Sequence, residues 1–253
     1  MHDIDLEIGD GAVIAVLGAN GSGKSTLARL IGGLLTPSSG VVAVDGVDTT
    51  KQPGGWAMHQ HVGMVFQNPQ NQIVSTVVEN EVAFGLENLC MDSTRMASRV
   101  QECLELVGLA HLRLANPHEL SAGEQQRLGI ASALAANPRH LILDEATALL
   151  DDQTRTELMA RVHALAEHLR LSLIIITHRM DEVSLAERVL VLSQGAIVFD
   201  DTPVALFLQA ERLAGWNLAL PPLQALTLRL RDAGLDIPLE ARTPAELASS
   251  LWP

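Results

Sequence analysis

The segment Gly18-Ala19-Asn20-Gly21-Ser22-Gly23-Lys24-Ser25 satisfies the pattern G-x-x-x-x-G-K-[ST] at every position. The continuous apolar run 12–17 before it predicts a strand that is buried on both faces. After it, apolar residues recur at helical spacing at Leu27, Leu30, Ile31 and Leu34. The pattern ends at Thr36-Pro37. A glycine-rich turn between a buried strand and a helix is the setting that this pattern requires. The segment therefore predicts a phosphate-binding turn in a parallel α/β fold.

The chemistry of this turn suits the phosphates of a nucleotide. Glycines let successive backbone N–H groups face phosphate oxygens, and the N-terminus of the following helix adds partial positive charge. We expect Lys24 to reach the β- and γ-phosphates of ATP and the Ser25 hydroxyl to ligate Mg²⁺. The alternative, a glycine-rich turn with an accidental lysine, is disfavoured by the strand and the helix on either side. The predicted ATP contacts here are Gly18, Ala19, Asn20, Gly21, Ser22, Gly23, Lys24, Ser25 and Thr26.

A second apolar strand ends in two acids, in the stretch Leu141-Ile142-Leu143-Asp144-Glu145. Alone, such an ending is common and has no functional meaning in about half of cases. Together with the phosphate-binding turn, it predicts that Asp144 lies on the side of the metal ion and that Glu145 polarises the attacking water.

Strands that alternate with helices predict an α/β sheet with a helical insertion. We expect further strands over 41–44, 61–66, 141–143 and 173–176, helical structure between 79 and 134, and a helix over 154–169. Pro221-Pro222 opens a helical tail, in which Thr243-Pro244-Ala245-Glu246 predicts the start of a short final helix. The expected domains are an ATPase domain over 1–203, with a helical subdomain over about 72–135, and an extension over 204–253 that serves packing or dimerisation.

Composition limits the class of protein. A hydrophobic content of 47% in 253 residues supports a sizeable core, and the net charge of −13 disfavours binding to nucleic acid or to anionic lipid. The longest purely apolar stretches are far shorter than the roughly 20 residues that span a bilayer, and the acidic N-terminus does not resemble a secretory signal.

Cysteines and histidines give weaker signals. Cys90 and Cys103 have no metal-binding or redox spacing, so we expect two reduced thiols in a cytoplasmic protein. His59 and His61 lie in a glycine- and proline-rich stretch without carboxylate or thiol neighbours in the sequence. Solvated loop histidines are therefore favoured over a metal site at this position.

Four further motifs make a family resemblance specific. Leu120-Ser121-Ala122-Gly123-Glu124-Gln125-Gln126-Arg127 resembles the signature motif of ABC ATPases and precedes the Asp-Glu pair as it does in that family. Val65-Phe66-Gln67 resembles the family's Q-loop, Ala148-Leu149-Leu150-Asp151 its D-loop, and Ile176-Thr177-His178 its switch histidine. The resemblance implies a P-loop NTPase fold with a RecA-like, mostly parallel sheet, and a signature motif carried by the helical subdomain.

The resemblance also implies roles for these residues. Two subunits face each other head to tail, so that the signature residues of one contact the ATP on the other; these are Ser121, Gly123 and Glu124. Gln67 contacts both ATP and Mg²⁺, beside the metal ligands Ser25 and Asp144. Glu145 and His178 are the catalytic residues, and Asp151 belongs to the D-loop. ATP and Mg²⁺ are the implied cofactors.

Within the superfamily, the stretches 63–72 and 82–88 are similar to the ATPases of energy-coupling factor transporters, which import vitamins and cobalt or nickel ions. The stretch 144–151 and the tail ending Leu251-Trp252 resemble the first of their two paired ATPases. The implied partners are a second ATPase, identical or paralogous, an integral coupling protein and a substrate-capture protein at the cytoplasmic face of the membrane. An ordinary ABC importer or exporter subunit is the alternative, and a soluble ABC-type ATPase outside transport is another.

Two departures from the family pattern affect the expected site. The signature reads Ser121-Ala122-Gly123-Glu124 instead of Ser-Gly-Gly-Gln, which adds a negative charge beside the partner's γ-phosphate. The same residues also fit a capping box that closes a helix N-terminus. In addition, only 17 residues precede Gly18 and the chain has no tyrosine. Either the native chain starts earlier or adenine is held without the usual N-terminal aromatic residue.

Overall fold

The computed structural model describes residues 1–51, 58–235, 237 and 244–251. They form an α/β fold whose strands are mostly parallel, in two compact units. One unit comprises 6–12 and 25–176, and the other 1–5, 13–24 and 177–253. None of the described helices is both long and apolar enough to cross a membrane.

The unit built on 25–176 contains three parallel strands in the order β4 (Val62–Val65), β5 (His140–Asp144) and β6 (Ser172–Ile176). His140 pairs with Val62 on one side and with Ser172 on the other, so the three strands begin level with one another. Every residue of β5 and β6 is buried, as expected for strands covered on both faces. Helix α5 (Asp152–Leu169) connects these two strands.

The helical insertion of this unit consists of α2 (Val78–Asn88), α3 (Ser93–Leu106) and α4 (Ala122–Ala135), which pack on one another. The Arg99 guanidinium donates hydrogen bonds to the carbonyls of Leu134 and Ala135, at 2.6 and 3.0 Å. These carbonyls end α4, where the Leu134 carbonyl also accepts from the Asn137 N–H at 2.9 Å, and a cation there complements the helix dipole. Helix α3 is thereby fixed to the end of the helix that carries the signature motif.

A short hairpin completes this unit. Its strands β2 (Ala43–Val44) and β3 (Val47–Asp48) are antiparallel, and Val44 pairs with Val47 across the turn. The two turn residues, Asp45 and Gly46, have φ values of 51° and 76°. A two-residue turn with both φ values positive matches the twist of the strands, which is why Asp-Gly is favoured there.

The other unit contains β1 (Val13–Leu17), which pairs in parallel with β7 (Arg188–Ser193), and β8 (Ala196–Asp201), which is antiparallel to β7. The β7–β8 hairpin was not expected from the sequence. Its core contains residues of β1, β7 and the helices that follow β8, among them Leu17, Val189, Val191, Leu206, Phe207 and Leu213.

The remaining α-helices of the described residues are α1 (Lys24–Ile31), α6 (Met180–Val183), α7 (Pro203–Phe207), α8 (Ala210–Gly215), α9 (Pro222–Asp232) and α10 (Pro244–Leu251).

The helical tail agrees with the expectation from the prolines, since α9 begins at Pro222 and α10 at Pro244. Ile237 and Leu247 are buried against each other, with Leu223 and Leu230 packed beside them. The expected cap at Thr243 and the residue Trp252 lie outside the described residues.

Candidate nucleotide site

The phosphate-binding turn has a backbone that only glycine accommodates at its first position. Gly18 has a φ of +150°, and a Cβ there would collide with the Leu192 carbonyl oxygen and lie 2.5 Å from Ser22 Oγ. The turn is also tied to the β7–β8 hairpin, because the Gly195 N–H donates to the Ser22 carbonyl at 3.0 Å. A substituent at residue 18 would therefore have to displace backbone.

Two polar side chains of the turn fit a phosphate ligand. Lys24 is 5% exposed, and its ammonium donates to the carbonyls of Gly18 and Ala19 at 2.8 and 3.2 Å, so it lies over the turn. Ser22 Oγ is buried and has no hydrogen-bond partner among the residues that the structure describes. A buried hydroxyl without a partner is unfavourable, and a phosphate oxygen would satisfy it.

The two predicted magnesium ligands lie together. The Ser25 hydroxyl donates a hydrogen bond of 2.9 Å to Asp144 Oδ1. Ser25 is the second residue of α1, and Asp144 is the last residue of β5 and 5% exposed. Mg²⁺ prefers hard oxygen ligands, and this hydroxyl and carboxylate are of that kind. The pair therefore fits an Mg²⁺ site.

Glu145 has an unusual backbone for its residue type. Its φ is +51°, in the left-handed region, and its N–H donates to the Ile176 carbonyl at 2.9 Å. A non-glycine residue in that region costs about 1–3 kcal/mol, and such residues cluster at functional sites. The conformation turns the chain sharply at the end of β5, immediately after the buried Asp144.

Gln67 is exposed beyond the end of β4. The fully buried Gln126 of α4 donates from its side-chain nitrogen to the Gln67 carbonyl at 3.2 Å. The Q-loop is further held by Gln72, whose side-chain oxygen accepts from the Phe66 N–H at 3.1 Å. Gln126 therefore links the helix of the signature motif to the Q-loop, a connection that local sequence did not reveal.

The capping box expected at the start of α4 is confirmed. The Glu124 carboxylate accepts from the Ser121 N–H and hydroxyl at 2.9 and 2.6 Å, and Ser121 Oγ accepts from the Glu124 N–H at 3.4 Å. The hydrogen bond from the Ser121 hydroxyl, and to a smaller extent the one from its N–H, lower the pKa of Glu124 below its ordinary value. Glu124 is therefore ionised at neutral pH, and its charge lies at the N-terminus of α4.

Signature and D-loop residues meet at Thr154 of α5. A Cβ on Gly123 would lie 2.6 Å from Thr154 Cγ2, so the α4 backbone and this side chain leave no room for one. The Thr154 hydroxyl in turn donates to Asp151 Oδ2 at 2.6 Å, and the Thr154 N–H donates to Asp151 Oδ1 at 3.0 Å. Asp151 is the N-cap of α5. Thr154 therefore couples Gly123 to Asp151, a role that local sequence did not reveal.

His178 is exposed and follows β6 by two residues. The Thr177 hydroxyl before it accepts from the Arg179 N–H at 3.0 Å, and the Thr177 N–H donates to the Val16 carbonyl at 3.1 Å. These contacts fix the backbone on both sides of His178. Its catalytic role, like those of Glu145 and the signature residues, stays a prediction.

Comparison with known proteins adds to this geometry. The family model described as ABC transporter matches residues 1–148, which hold the phosphate-binding turn, the signature motif and the Asp-Glu pair. The chain belongs to the ABC transporter ATPase family. It is 46% identical over 251 residues to the energy-coupling factor transporter ATP-binding protein EcfA1 of Symbiobacterium thermophilum, covering 99% of this chain and 88% of the relative. The ATPase is therefore an energy-coupling factor type subunit that hydrolyses ATP to energise a transporter.

Solved structures with a similar fold support the same family assignment. cbiO1 from Clostridium perfringens, described as part of the ABC transporter complex cbiONQ, is 35% identical, with a TM-score of 0.76 over 89% of this chain and 90% of that one. A dimeric ATP-binding cassette in a post-hydrolysis state, bound to ADP and Pi, is 29% identical, with a TM-score of 0.72 over 79% of this chain and 89% of that one. Both are ABC ATPase cassettes, so the fold expected from the sequence is confirmed.

Proposed function

We propose that this ATPase energises an importer of the energy-coupling factor type whose cargo is a vitamin or a transition-metal ion. The observation that carries the proposal is the likeness to EcfA1, which extends over 99% of the chain. The likeness to cbiO1, part of the complex cbiONQ, supports the same assignment. The cargo itself is chosen by the substrate-capture protein and not by this subunit.

ATP is bound through residues 18–26. Backbone N–H groups of the turn and the N-terminus of α1 surround the phosphates, and the Lys24 ammonium moves from the loop carbonyls to the β/γ-phosphate oxygens. Ser25, Asp144 and the Gln67 side-chain carbonyl would hold Mg²⁺. When bound, Mg²⁺ neutralises charge on the phosphate oxygens.

Hydrolysis uses Glu145 and His178. Glu145 accepts a proton from the attacking water while the water oxygen forms a bond to the γ-phosphorus. ADP departs with the electrons of the broken P–O bond. His178 donates a hydrogen bond to the γ-phosphate. The left-handed backbone of Glu145 supports its role, since strain of this kind is retained where geometry matters for function.

A second ATPase, identical or paralogous, completes each site in a head-to-tail dimer. Ser121 and Gly123 at the start of α4 cap the ATP held by the partner, and Asp151 lies along the same interface. The ionised Glu124 weakens this contact, because its charge repels the γ-phosphate. The Thr154 bridge between Gly123 and Asp151 makes the signature and D-loop residues respond together.

In this proposal the remaining partners are an integral coupling protein, moved through Gln67, and a substrate-capture protein. The subunit is peripheral at the cytoplasmic face of the membrane and does not bind nucleic acid. Residues 1–203 form the ATPase domain, with the helical subdomain at about 72–135, and residues 204–253 form an extension that contributes to the dimer. The buried pair Ile237 and Leu247 gives this extension a small core of its own.

Purification of the chain from native membranes tests the proposal. A paralogous or identical ATPase, a coupling protein and a small substrate-capture protein should copurify with it in mild detergent. Copurification with the two membrane domains of an ordinary ABC importer or exporter would favour that alternative. Recovery of active ATPase with no membrane protein would favour the soluble class.

A further inference from the structure

A cluster of imidazole and carboxylate groups lies at the amino ends of β4 and β5. Asp45 Oδ1 is 3.0 Å from His140 Nε2, and Asp45 Oδ2 is 2.7 Å from His61 Nδ1. His140 is the first residue of β5, and its backbone N–H donates to the His61 carbonyl. The sequence predicted a solvated loop histidine without a carboxylate neighbour at His61. Its side chain is 30% exposed in the turn before β4, but the fold brings it a carboxylate partner from 16 positions away in sequence.

The β2–β3 hairpin delivers Asp45 to this place. Asp45 is the first residue of the two-residue turn, where its positive φ is tolerated because Asp is among the residues that adopt it. Although the turn backbone is exposed, the Asp45 carboxylate is only 11% exposed and the His140 ring only 10%. The two side chains are thus held together near the surface, with little of either exposed.

A second carboxylate approaches from the segment before β1. Asp10 lies in a tight turn in which the Ala12 N–H donates to the Gly9 carbonyl at 3.3 Å. Ser172 at the start of β6 fixes this turn, since its hydroxyl accepts from the Gly11 N–H at 2.9 Å and donates to the Gly9 carbonyl at 3.3 Å. Asp10, Asp45 and His140 each offer one metal-ligating atom, and these three atoms lie within 4.8 Å of one another.

We propose that Asp10, Asp45 and His140 bind a divalent transition-metal ion of the zinc class, with His61 positioning the Asp45 carboxylate. One imidazole nitrogen and two carboxylate oxygens form a donor set that such ions take at about 2.0–2.2 Å, with water in a remaining position. Because their ligand atoms lie up to 4.8 Å apart, these side chains would have to move inward to reach one ion. His61 holds the Asp45 oxygen that does not ligate, as partners of ligating carboxylates do in metal sites.

Charge favours this assignment. Asp45 and Asp10 together supply two negative charges beside a nearly buried imidazole, which a divalent cation would neutralise. The alternative is purely structural: the hydrogen bonds of Asp45 fasten the hairpin to β4 and β5, and no ion binds.

The site is distinct from the nucleotide site. His140 begins β5 and Asp144 ends it, so the two lie about 13 Å apart at the 3.3 Å rise of a strand. An ion at His140 and an Mg²⁺ at Asp144 would therefore occupy opposite ends of one five-residue strand. Binding at the two ends can be measured separately.

Calorimetric titration of Zn²⁺ into the untagged, nucleotide-free full chain tests the proposal. The exposed thiol is removed from all proteins by Cys90→Ser, because it is a competing ligand. We expect one Zn²⁺ per chain, and Co²⁺ should give the visible absorption of a low-symmetry site. Asp10→Asn should weaken Zn²⁺ binding about ten-fold or more without unfolding the protein, because Asp10 is exposed.

Matched variants decide the outcome. Asp45→Asn should also lose binding, whereas Asp5→Asn, an exposed acid of the same segment, should bind Zn²⁺ as the parent does. His168→Gln, which removes an exposed imidazole, should have no effect. Absence of saturable Zn²⁺ binding, or equal affinity of the parent and Asp10→Asn, would overturn the metal site and leave the structural role of Asp45.

Discussion

The Ser25 hydroxyl donates a 2.9 Å hydrogen bond to Asp144 Oδ1, although 119 positions separate the two residues in sequence. One residue belongs to the start of α1 and the other to the end of β5. The contact brings a hydroxyl from the phosphate-binding turn to the carboxylate of the Asp-Glu pair. The two motifs recognised separately in the sequence therefore form one candidate Mg²⁺ site.

Asp144→Asn should reduce the Mg²⁺-dependent part of nucleotide affinity. The amide can still accept from Ser25, but it lacks the charge, and a charge-assisted contact contributes about 1.5–3 kcal/mol, or ten-fold and more in affinity. Calorimetric titration of ADP with Mg²⁺ and with EDTA isolates the effect, since the two proteins should differ only with Mg²⁺. If Mg²⁺ raised the ADP affinity of both proteins equally, Asp144 would not be a ligand of the metal ion.

Lys24→Ala should abolish useful ATP affinity without unfolding the chain. The change removes an ammonium that lies over the turn and donates hydrogen bonds to the carbonyls of Gly18 and Ala19. Arg29→Ala, in the last turn of the same helix, is the matched control and should bind ATP normally. Fluorescent nucleotide binding and thermal unfolding measure the two properties. Normal binding by a folded Lys24→Ala protein would refute the assigned role.

Gly18→Ala should impair nucleotide binding because a Cβ at this position collides with the Leu192 carbonyl and with Ser22. Relief requires backbone movement, and we expect a loss of about 1–3 kcal/mol in stability together with weaker binding. Gly85→Ala in α2 is the control, because nothing lies within 4 Å of its added Cβ and alanine favours helix by up to about 1 kcal/mol. Denaturant unfolding of both variants should give shifts of opposite sign, and shifts of the same sign would contradict the packing argument.

Ala122→Gly combined with Glu124→Gln should raise the ATPase rate of the assembled complex. Glu124 is ionised at neutral pH, because hydrogen bonds from Ser121 lower its pKa, and the glutamine removes that charge from the partner's γ-phosphate. A glutamine also preserves the capping box. The single variant Glu124→Gln separates charge from helix propensity. A Glu124→Gln variant that hydrolyses ATP no faster than the parent complex would contradict the charge argument.

Local sequence predicted those features whose cause is local. The glycine-rich turn between β1 and α1, the two acids at the end of β5 and the Ser121–Glu124 capping box all depend on residues a few positions apart, and the structure has each of them. The β7–β8 hairpin was missed, although the apolar stretch 189–192, followed shortly by Gln194-Gly195, is a strand-and-turn signal.

Contacts made by folding could not be predicted in this way. Thr154 meets Gly123 across two helices, and His61 meets Asp45 across a hairpin. Neither pair has a sequence pattern, because each depends on how separate elements pack. The expected roles of distant motifs came instead from family resemblance.

Glu145→Gln is the variant that separates ATP binding from hydrolysis. The amide keeps the size of the side chain but cannot accept the proton of water, so hydrolysis should slow by roughly 10² to 10⁴ while binding persists. Because the closed dimer can no longer open through ATP hydrolysis, the protein should accumulate as a closed dimer that holds ATP at both sites.

Size-exclusion chromatography of Glu145→Gln with Mg-ATP, run beside a hydrolysis assay, tests the head-to-tail ATPase most directly. We predict a nucleotide-dependent shift to dimer together with the loss of turnover, and the parent protein should show turnover without a stable dimer. Full turnover by Glu145→Gln would contradict the assignment of Glu145 as the residue that accepts the proton of water.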